Sequence, residues 1–296
     1  MISGNRKGAW WELPLPDETW KLHSKNAYEA ISEMFPIPRK LWGRLYSVGG
    51  IRQHGQSVML HLFPEEKSSF KPEYIPIEVL FEDDFCLVVN KPAGMSVHPS
   101  ELNQSGTLAN AIAYYYEATG QSCGVRHIHR LDKDTTGAVL YAKNEIAQLL
   151  LDEAMREQRI ERQYAAIAEG NFAMESGTIN EPIGRDRHQS GKRRVSPSGD
   201  QAITHYRVVS QFAAGALVRL ELETGRTHQI RVHLSHIGHP IIGDSLYGGP
   251  VQRFNRQALH GERLLFEHPI SREAISIEAP WPAELQTLLS NLQAER

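Results

Sequence analysis

Apolar positions along the 296-residue chain change period twice. In SKNAYEAISEMF, Ala27, Ala30, Ile31 and Met34 fall at i, i+3, i+4 and i+7, which predicts a helix with one buried face. PIPRKLWGRLYSVGG continues as a second helix whose stripe is Leu41, Leu45 and Val48; Arg39, Lys40 and Arg44 sit off that stripe, and Gly49-Gly50 ends it. IRQHGQSVMLHLF then reads as a hairpin turning near His54-Gly55. Two helices and a hairpin enclose little apolar surface, so this unit is expected to lean on something larger. PEEKSSFKPE has a linker's composition. The expected organisation is a small α/β unit at 1–66, a linker at 67–74 and a larger domain at 75–296.

From residue 75 the period is mainly two. EVLFEDDFCLVVNKP places an acidic turn between two β-rich runs, and GAVLYAKN, RQYAAIAEG, ITHYRVVSQF and ALVRLELETG are further strands. Thr107 can cap a helix in which Leu108, Ala111, Ile112 and Tyr115 share a face, ending at Gly120. Asn144 starts another, with Ile146, Leu149, Leu150 and Met155 as its stripe. THQIRVHLSHIG is read as a helix capped by Thr227, with Ile230, Leu234 and Ile237 buried and Gly238 and Pro240 closing it. His228, Arg231 and Ser235 fall on its opposite face. RLLFEHPISREAISIEAP is a hairpin. Strands outnumber helices and most are joined by hairpins, which predicts an α+β fold on a largely antiparallel sheet flanked by helices.

Composition adds bounds. With 41% hydrophobic and 23% charged residues the chain has the balance of a soluble globular protein. No apolar run suits a signal peptide or a membrane span, and Cys86 and Cys123 are too few for a disulfide framework, so a cytoplasmic protein away from membranes is expected. A net charge of −3 means that nucleic-acid affinity has to come from a patch. IGRDRHQSGKRR offers one, with Arg185, Arg187, Lys192, Arg193 and Arg194 against Asp186; by itself it is either a solvated loop or a phosphate-binding surface.

The densest chemistry lies in HIHRLDKDTTG at 127–137. His127, His129 and Asp132 invite a metal, but Lys133 would oppose one. His233 and His236 share a helix face without a completing H-E-x-x-H pattern, so no metal is expected. GQSCG at 120–124 has the letters of a nucleophile elbow, yet a helix precedes Ser122 and a loop follows it. Cys123, near Arg126 and His127, is an activated thiol or a small turn residue. Asp132 lies between Arg130 and Lys133, cations that keep a carboxylate ionised at neutral pH. An ionised carboxylate can act as nucleophile or base without a metal or nucleotide. On these grounds Asp132 is either that reagent or a turn cap for the Thr135-Thr136-Gly137 backbone.

HRLDKDTTGAVLYAKN closely resembles the H-R-L-D-x-x-T-S-G signature of the RluA-type pseudouridine synthases, with Thr136 where serine is usual. YIPIEVLFEDDFCLVVNKPAGMSVHPS looks like the family's opening hairpin and its K-P-x-G-x-x-V-H-P turn. RIERQYAAIAEG and LETGRTHQIRVHLSHIGHPIIGDSLYG are similar to its second and third motifs, and ALHGERLLFEHPI resembles its closing hairpin with Gly261 replacing alanine. The resemblance covers roughly residues 75–282. Residues 24–63 resemble a small S-four-like RNA-binding module without its usual R-L-D opening.

This resemblance implies the pseudouridine synthase fold and the isomerisation of a uridine in structured RNA, ribosomal ahead of transfer RNA, by a monomer without a cofactor. It makes Asp132 the catalytic carboxylate, attacking the sugar, attacking the ring or removing a sugar proton. Tyr164 would pack on the uracil and move a proton, and Arg231 would pair with Asp132. Arg130 would fill the gap left by an extruded base and His129 would order the loop, while Thr136, Arg226 and His228 join the substrate and RNA contacts. The basic run at 185–194 and the trio Arg39, Lys40 and Arg44 would meet the RNA backbone. The rival reading is an RNA-binding ribosome-assembly factor that lost the chemistry; the presence of Asp132, Tyr164 and Arg231 argues for the enzyme.

Overall fold

The computed structural model describes residues 4–17, 20–101 and 104–295, so the outermost residues of the two expected units lie outside the described residues. Its first part pairs β1 (Asn5–Lys7), β2 (Trp10–Pro14), β4 (Ser57–Leu60) and β3 (Ile51–His54) in that order, all antiparallel. Between β2 and β3 lie α1 (Ala27–Ser32) and α2 (Arg39–Ser47). The β3–β4 hairpin and both helices were legible as periods, whereas the β1–β2 hairpin is too short to show one. The α2 stripe differs from expectation: Trp42 is buried beside Leu41 and Leu45, while Val48 lies past the end of the helix and is 72% exposed.

This unit is not closed on itself. Leu13, Ile31, Leu45 and Val58 belong to one apolar cluster with Cys86, Val88, Leu140 and Ile146 of the following domain. A sheet this small needs such cover to remain folded.

The larger part follows as β5 (Glu78–Glu82), β6 (Cys86–Lys91), α3 (Leu108–Ala118), β7 (Arg126–His127), β8 (Thr136–Ala142), α4 (Glu145–Arg156), β9 (Glu161–Ala168) and β10 (Ser176–Asn180). A small hairpin of β11 (Ile183–Arg185) and β12 (Arg193–Val195) comes next. Then follow β13 (Ile203–Phe212), β14 (Gly215–Leu222), α5 (Gln229–His236), β15 (Leu259–Glu267), β16 (Ala274–Glu278) and α6 (Ala283–Ala294). The main sheet has the order β10-β13-β14-β9-β15-β8-β6-β5, with β16 beside β15 and β7 beside β8. Every pair is antiparallel except β15 with β8.

Both faces of the centre are covered, which is why β8 reads as an unbroken apolar run with all seven residues buried. Val139 and Tyr141 point into a core shared with α3, α5 and α6, whereas Ala138, Leu140 and Ala142 point into the core shared with α4 and the N-terminal unit. The helix starts follow local rules. Thr107 accepts from Asn110 N while the Asn110 side chain accepts from Thr107 N at 3.2 Å, a capping box, and Asn144 accepts from Ala147 N at 3.0 Å.

The parallel pair sets Gly137 against Gly261. Gly137 has φ +123°, and a Cβ there would run into the Gly261 backbone, so only glycine permits β8 and β15 to meet so closely. Leu131, at the head of the 128–135 loop, and Tyr164 of β9 both stand beside Gly261. The fold thus delivers that loop and β9 to one point.

Candidate active site

The 128–135 loop is held by its carbonyls. Asp132 O accepts from Thr135 N at 3.1 Å, closing a turn, and Asp134 O accepts from Arg256 Nη1 at 3.0 Å. Lys133 O accepts from Met95 N at 3.1 Å and from the ammonium of Lys91 at 2.9 Å. Lys91 is buried on β6 and also donates to Pro92 O and Met95 O, each at 2.8 Å. Burial pushes its pKa down to about 7, against the opposing fields of Asp134 and Asp132. His129 is buried beneath the loop and its Nε2 accepts from Leu140 N at 3.2 Å. Burial, helped by Arg162 and His127, lowers its pKa to about 3, so it is a neutral brace.

Asp132 is thereby presented on the wall of a cleft of about 650 Å³, lined among others by Tyr164, Arg130, Arg226 and His228. Arg231 Nη1 donates to Asp132 Oδ2 at 3.0 Å. The Nε–Nη2 edge of the same guanidinium donates to both oxygens of Asp244, from Nε to Oδ2 at 2.7 Å and from Nη2 to Oδ1 at 2.9 Å, and Arg231 also stacks over Tyr247 at 5.0 Å. Burial works against the cation, but the hydrogen bonds and field of Asp244, then those of Asp132, outweigh it and raise its pKa. Asp132 Oδ1 has no hydrogen-bond partner among the described residues. Tyr164 is buried on β9, and burial pushes its phenol up, so it is protonated.

The helix carrying Arg231 departs from the expected one. α5 begins at Gln229, with His228 before it in the left-handed region (φ 59°, ψ 21°) and no side-chain cap from Thr227. The buried Gln229 side chain does the capping work, accepting from Arg226 N at 2.9 Å and donating to Ile203 O at 2.9 Å. Nor is the polar face of α5 open: Arg231 is 7% exposed and His233 is fully buried. Asp244, Tyr247, β13 and the β11–β12 hairpin cover that face, so Arg231 reaches Asp132 from within the protein.

Other expected residues separate. Arg130 is exposed at the cleft and its guanidinium makes no hydrogen bond or ion pair among the described residues, while Arg226 Nε donates to Gln201 O at 2.9 Å. Thr136 is buried 2.8 Å from His260 Nδ1, between β8 and β15, and does not line the cleft. Arg185, Arg187 and Arg194 are exposed on the β11–β12 hairpin, and Lys192 sits over the Tyr247 ring at 5.5 Å. On α2, Arg39 is paired with Glu29 and Arg44 with Glu145, and Lys40 is exposed. His233 bonds Thr204 Oγ1 and Glu181 O, each at 2.9 Å, and is not set toward a metal with His236. Cys123 has its thiol pushed up to about 11 by burial, the opposite of activation.

Asp244 and Tyr247 went unread in the sequence. They sit in GDSLYG, a turn without periodicity at the end of the stretch similar to the family's third motif, and nothing in its spacing ties them to Arg231.

A half-buried carboxylate, a buried arginine and a buried tyrosine thus share one cleft on a mixed sheet, the arrangement of an enzyme whose carboxylate can act as a nucleophile or base. Residues 85–236 match the family described as RNA pseudouridylate synthase. The uncharacterized RNA pseudouridine synthase YhcT of Bacillus subtilis is 51% identical over 240 residues, 80% of each chain. Ribosomal large subunit pseudouridine synthase D of Haemophilus ducreyi is 42% identical over 295 residues, 90% of each chain. The solved structure of human RNA pseudouridylate synthase domain containing 4 matches with a TM-score of 0.60 at 25% identity, covering 73% of this chain and 93% of that one. The chain belongs to the RluA-type pseudouridine synthases and isomerises uridine in RNA. These matches favour the enzyme over a binding factor without chemistry.

Proposed function

We propose that the target is a uridine of large-subunit ribosomal RNA and that Asp132 is the carboxylate that meets it. The observation that carries the site is the Asp132–Arg231 pair at 3.0 Å in a cleft that Tyr164 also lines. The target is supported by the relative named ribosomal large subunit pseudouridine synthase D, matched over 90% of both chains.

The reaction breaks the bond from the sugar carbon to uracil N1 and joins that carbon to C5. C5 loses a proton and N1 gains one, so formula and oxidation state are unchanged. Arg231, clamped by Asp244, fixes one oxygen of Asp132 and leaves the other for the nucleoside. Tyr164 packs on the ring. An extruded base costs a few kcal/mol of lost stacking, and Arg130, planar and exposed at the cleft, fills its place. The β11–β12 hairpin engages phosphates, and the N-terminal unit adds an RNA-contacting face on which Lys40 has no ion pair among the described residues. The protein acts as a monomer in the cytoplasm, where its ribosomal substrate is made.

The test is to map pseudouridines in total RNA from cells with and without this gene. One or more sites lost from large-subunit ribosomal RNA, restored by the wild-type gene, is the expected result. Losses confined to transfer RNA would overturn the assigned target.

A further inference from the structure

Tyr247 sets which nitrogen of His228 carries the proton. Arg193 N donates to Tyr247 Oη at 2.9 Å, and the same oxygen lies 2.8 Å from His228 Nδ1. A backbone N–H only donates, and a phenol has a single hydrogen. Tyr247 is buried, and no other acceptor among the described residues bonds its hydroxyl, so that hydrogen goes to Nδ1. Burial pushes the phenol up to about 12, which keeps the hydrogen in place, and burial lowers His228 against the field of Asp132, which keeps the imidazole neutral. A neutral ring that accepts at Nδ1 bears its hydrogen on Nε2.

That Nε2 stands 3.9 Å from Asp132 Oδ2, too far for a hydrogen bond, and both residues line the cleft. The N–H therefore has no acceptor among the described residues. His228 also holds a left-handed backbone, φ 59°, a conformation uncommon outside glycine and one that recurs at functional sites.

We propose that His228 is a hydrogen-bond donor to a carbonyl oxygen of the bound uracil, and that Tyr247 is the positioning residue that keeps the donor hydrogen on the cleft side. When the bond to N1 breaks, its electron pair passes to the ring and spreads to the two carbonyl oxygens. A fixed neutral donor at one of them stabilises that charge without giving up its proton. The inference rests on the uridine lying beside Asp132, as proposed above.

The experiment uses the full-length protein and an RNA oligonucleotide spanning the mapped uridine, with uridine, 2-thiouridine or 4-thiouridine at that position; sulfur is a poor acceptor. His228→Asn, which tolerates the left-handed backbone, is expected to lower kcat by about 10²-fold with KM and thermal midpoint unchanged; Tyr247→Phe, which takes the acceptor from Arg193 N and so lowers the midpoint slightly, is expected to lower kcat by about tenfold with KM unchanged. One of the two thio substitutions should slow the wild type by about tenfold yet slow His228→Asn by less than about twofold. Variants that raise KM and spare kcat, or thio penalties as large in His228→Asn as in the wild type, would overturn the assignment. Asp132→Asn serves as the control. Turnover in that variant would remove the site on which the inference stands, whereas an inactive control with an unimpaired His228→Asn removes the inference alone.

Discussion

Arg231 and Arg194 are the same side chain in opposite settings. Arg231 is almost wholly buried and spends its donors on two carboxylates, while Arg194 is exposed at the β11–β12 hairpin with no carboxylate within ion-pair distance among the described residues. The first acts through geometry: it fixes where a single oxygen of Asp132 stands. In its proposed contact with phosphates the second would act through charge, which salt screens and which tolerates ångström-scale displacement. The two regions touch, since Arg193 N donates to Tyr247 and the Arg231 guanidinium lies over the Tyr247 ring. Changes in one region should therefore show in turnover and stability, and changes in the other in affinity and its salt dependence.

The largest separation is expected from Asp244→Leu. It leaves a buried guanidinium with Asp132 alone, a loss on the order of 3–5 kcal/mol of stability together with most of the turnover. Denaturant unfolding and single-turnover conversion measure the two effects, and a variant of wild-type stability would show that Asp244 is not the anchor. Replacing Lys192, Arg193 and Arg194 by alanine should instead leave the midpoint of unfolding in place and flatten the plot of log K against log salt by about two units. An unchanged slope would mean that the hairpin faces away from RNA.

Acid should affect the loop beneath Asp132 first. His129 refuses a proton until about pH 3, but its unfolded counterpart takes one up near 6.5. The unfolded state therefore binds more protons in this window and stability falls as pH drops below 6.5, by about 2 kcal/mol at pH 5 from this residue. His129→Gln should flatten that part of the stability–pH curve, and an identical curve in the variant would discard the explanation. The smallest effect belongs to α2. With Arg39 and Arg44 already ion-paired, alanine at 39, 40 and 44 should change the salt slope by less than about one unit, and a larger change would promote the N-terminal unit to a principal contact.

Local signals were legible in the sequence and distant ones were not. Thr107 and Asn144 cap helices because the groups they bond are three residues away, and the β-rich runs became strands because their period alone sorts two covered faces. The approach of Asp132 to Arg231 spans 99 residues, and it was readable through the family motifs rather than from spacing. Amphipathicity misjudged α5, since the rule takes a polar face to be a wet one. Here Asp244, Tyr247 and the hairpin cover that face, and its arginine is neutralised inside the protein. Thr136 looked like a contact because it adjoins the loop that carries Asp132, yet the start of β8 turns it toward His260.

The most direct measurement compares Asp132→Asn with the wild type on the same ribosomal RNA, taking equilibrium affinity and single-turnover pseudouridine yield together. Affinity within about twofold of wild type and no detectable product are expected, since the amide keeps the shape and contacts of the carboxylate but not its charge. Comparable turnover in the amide variant, with the fold intact, would contradict the role proposed for Asp132.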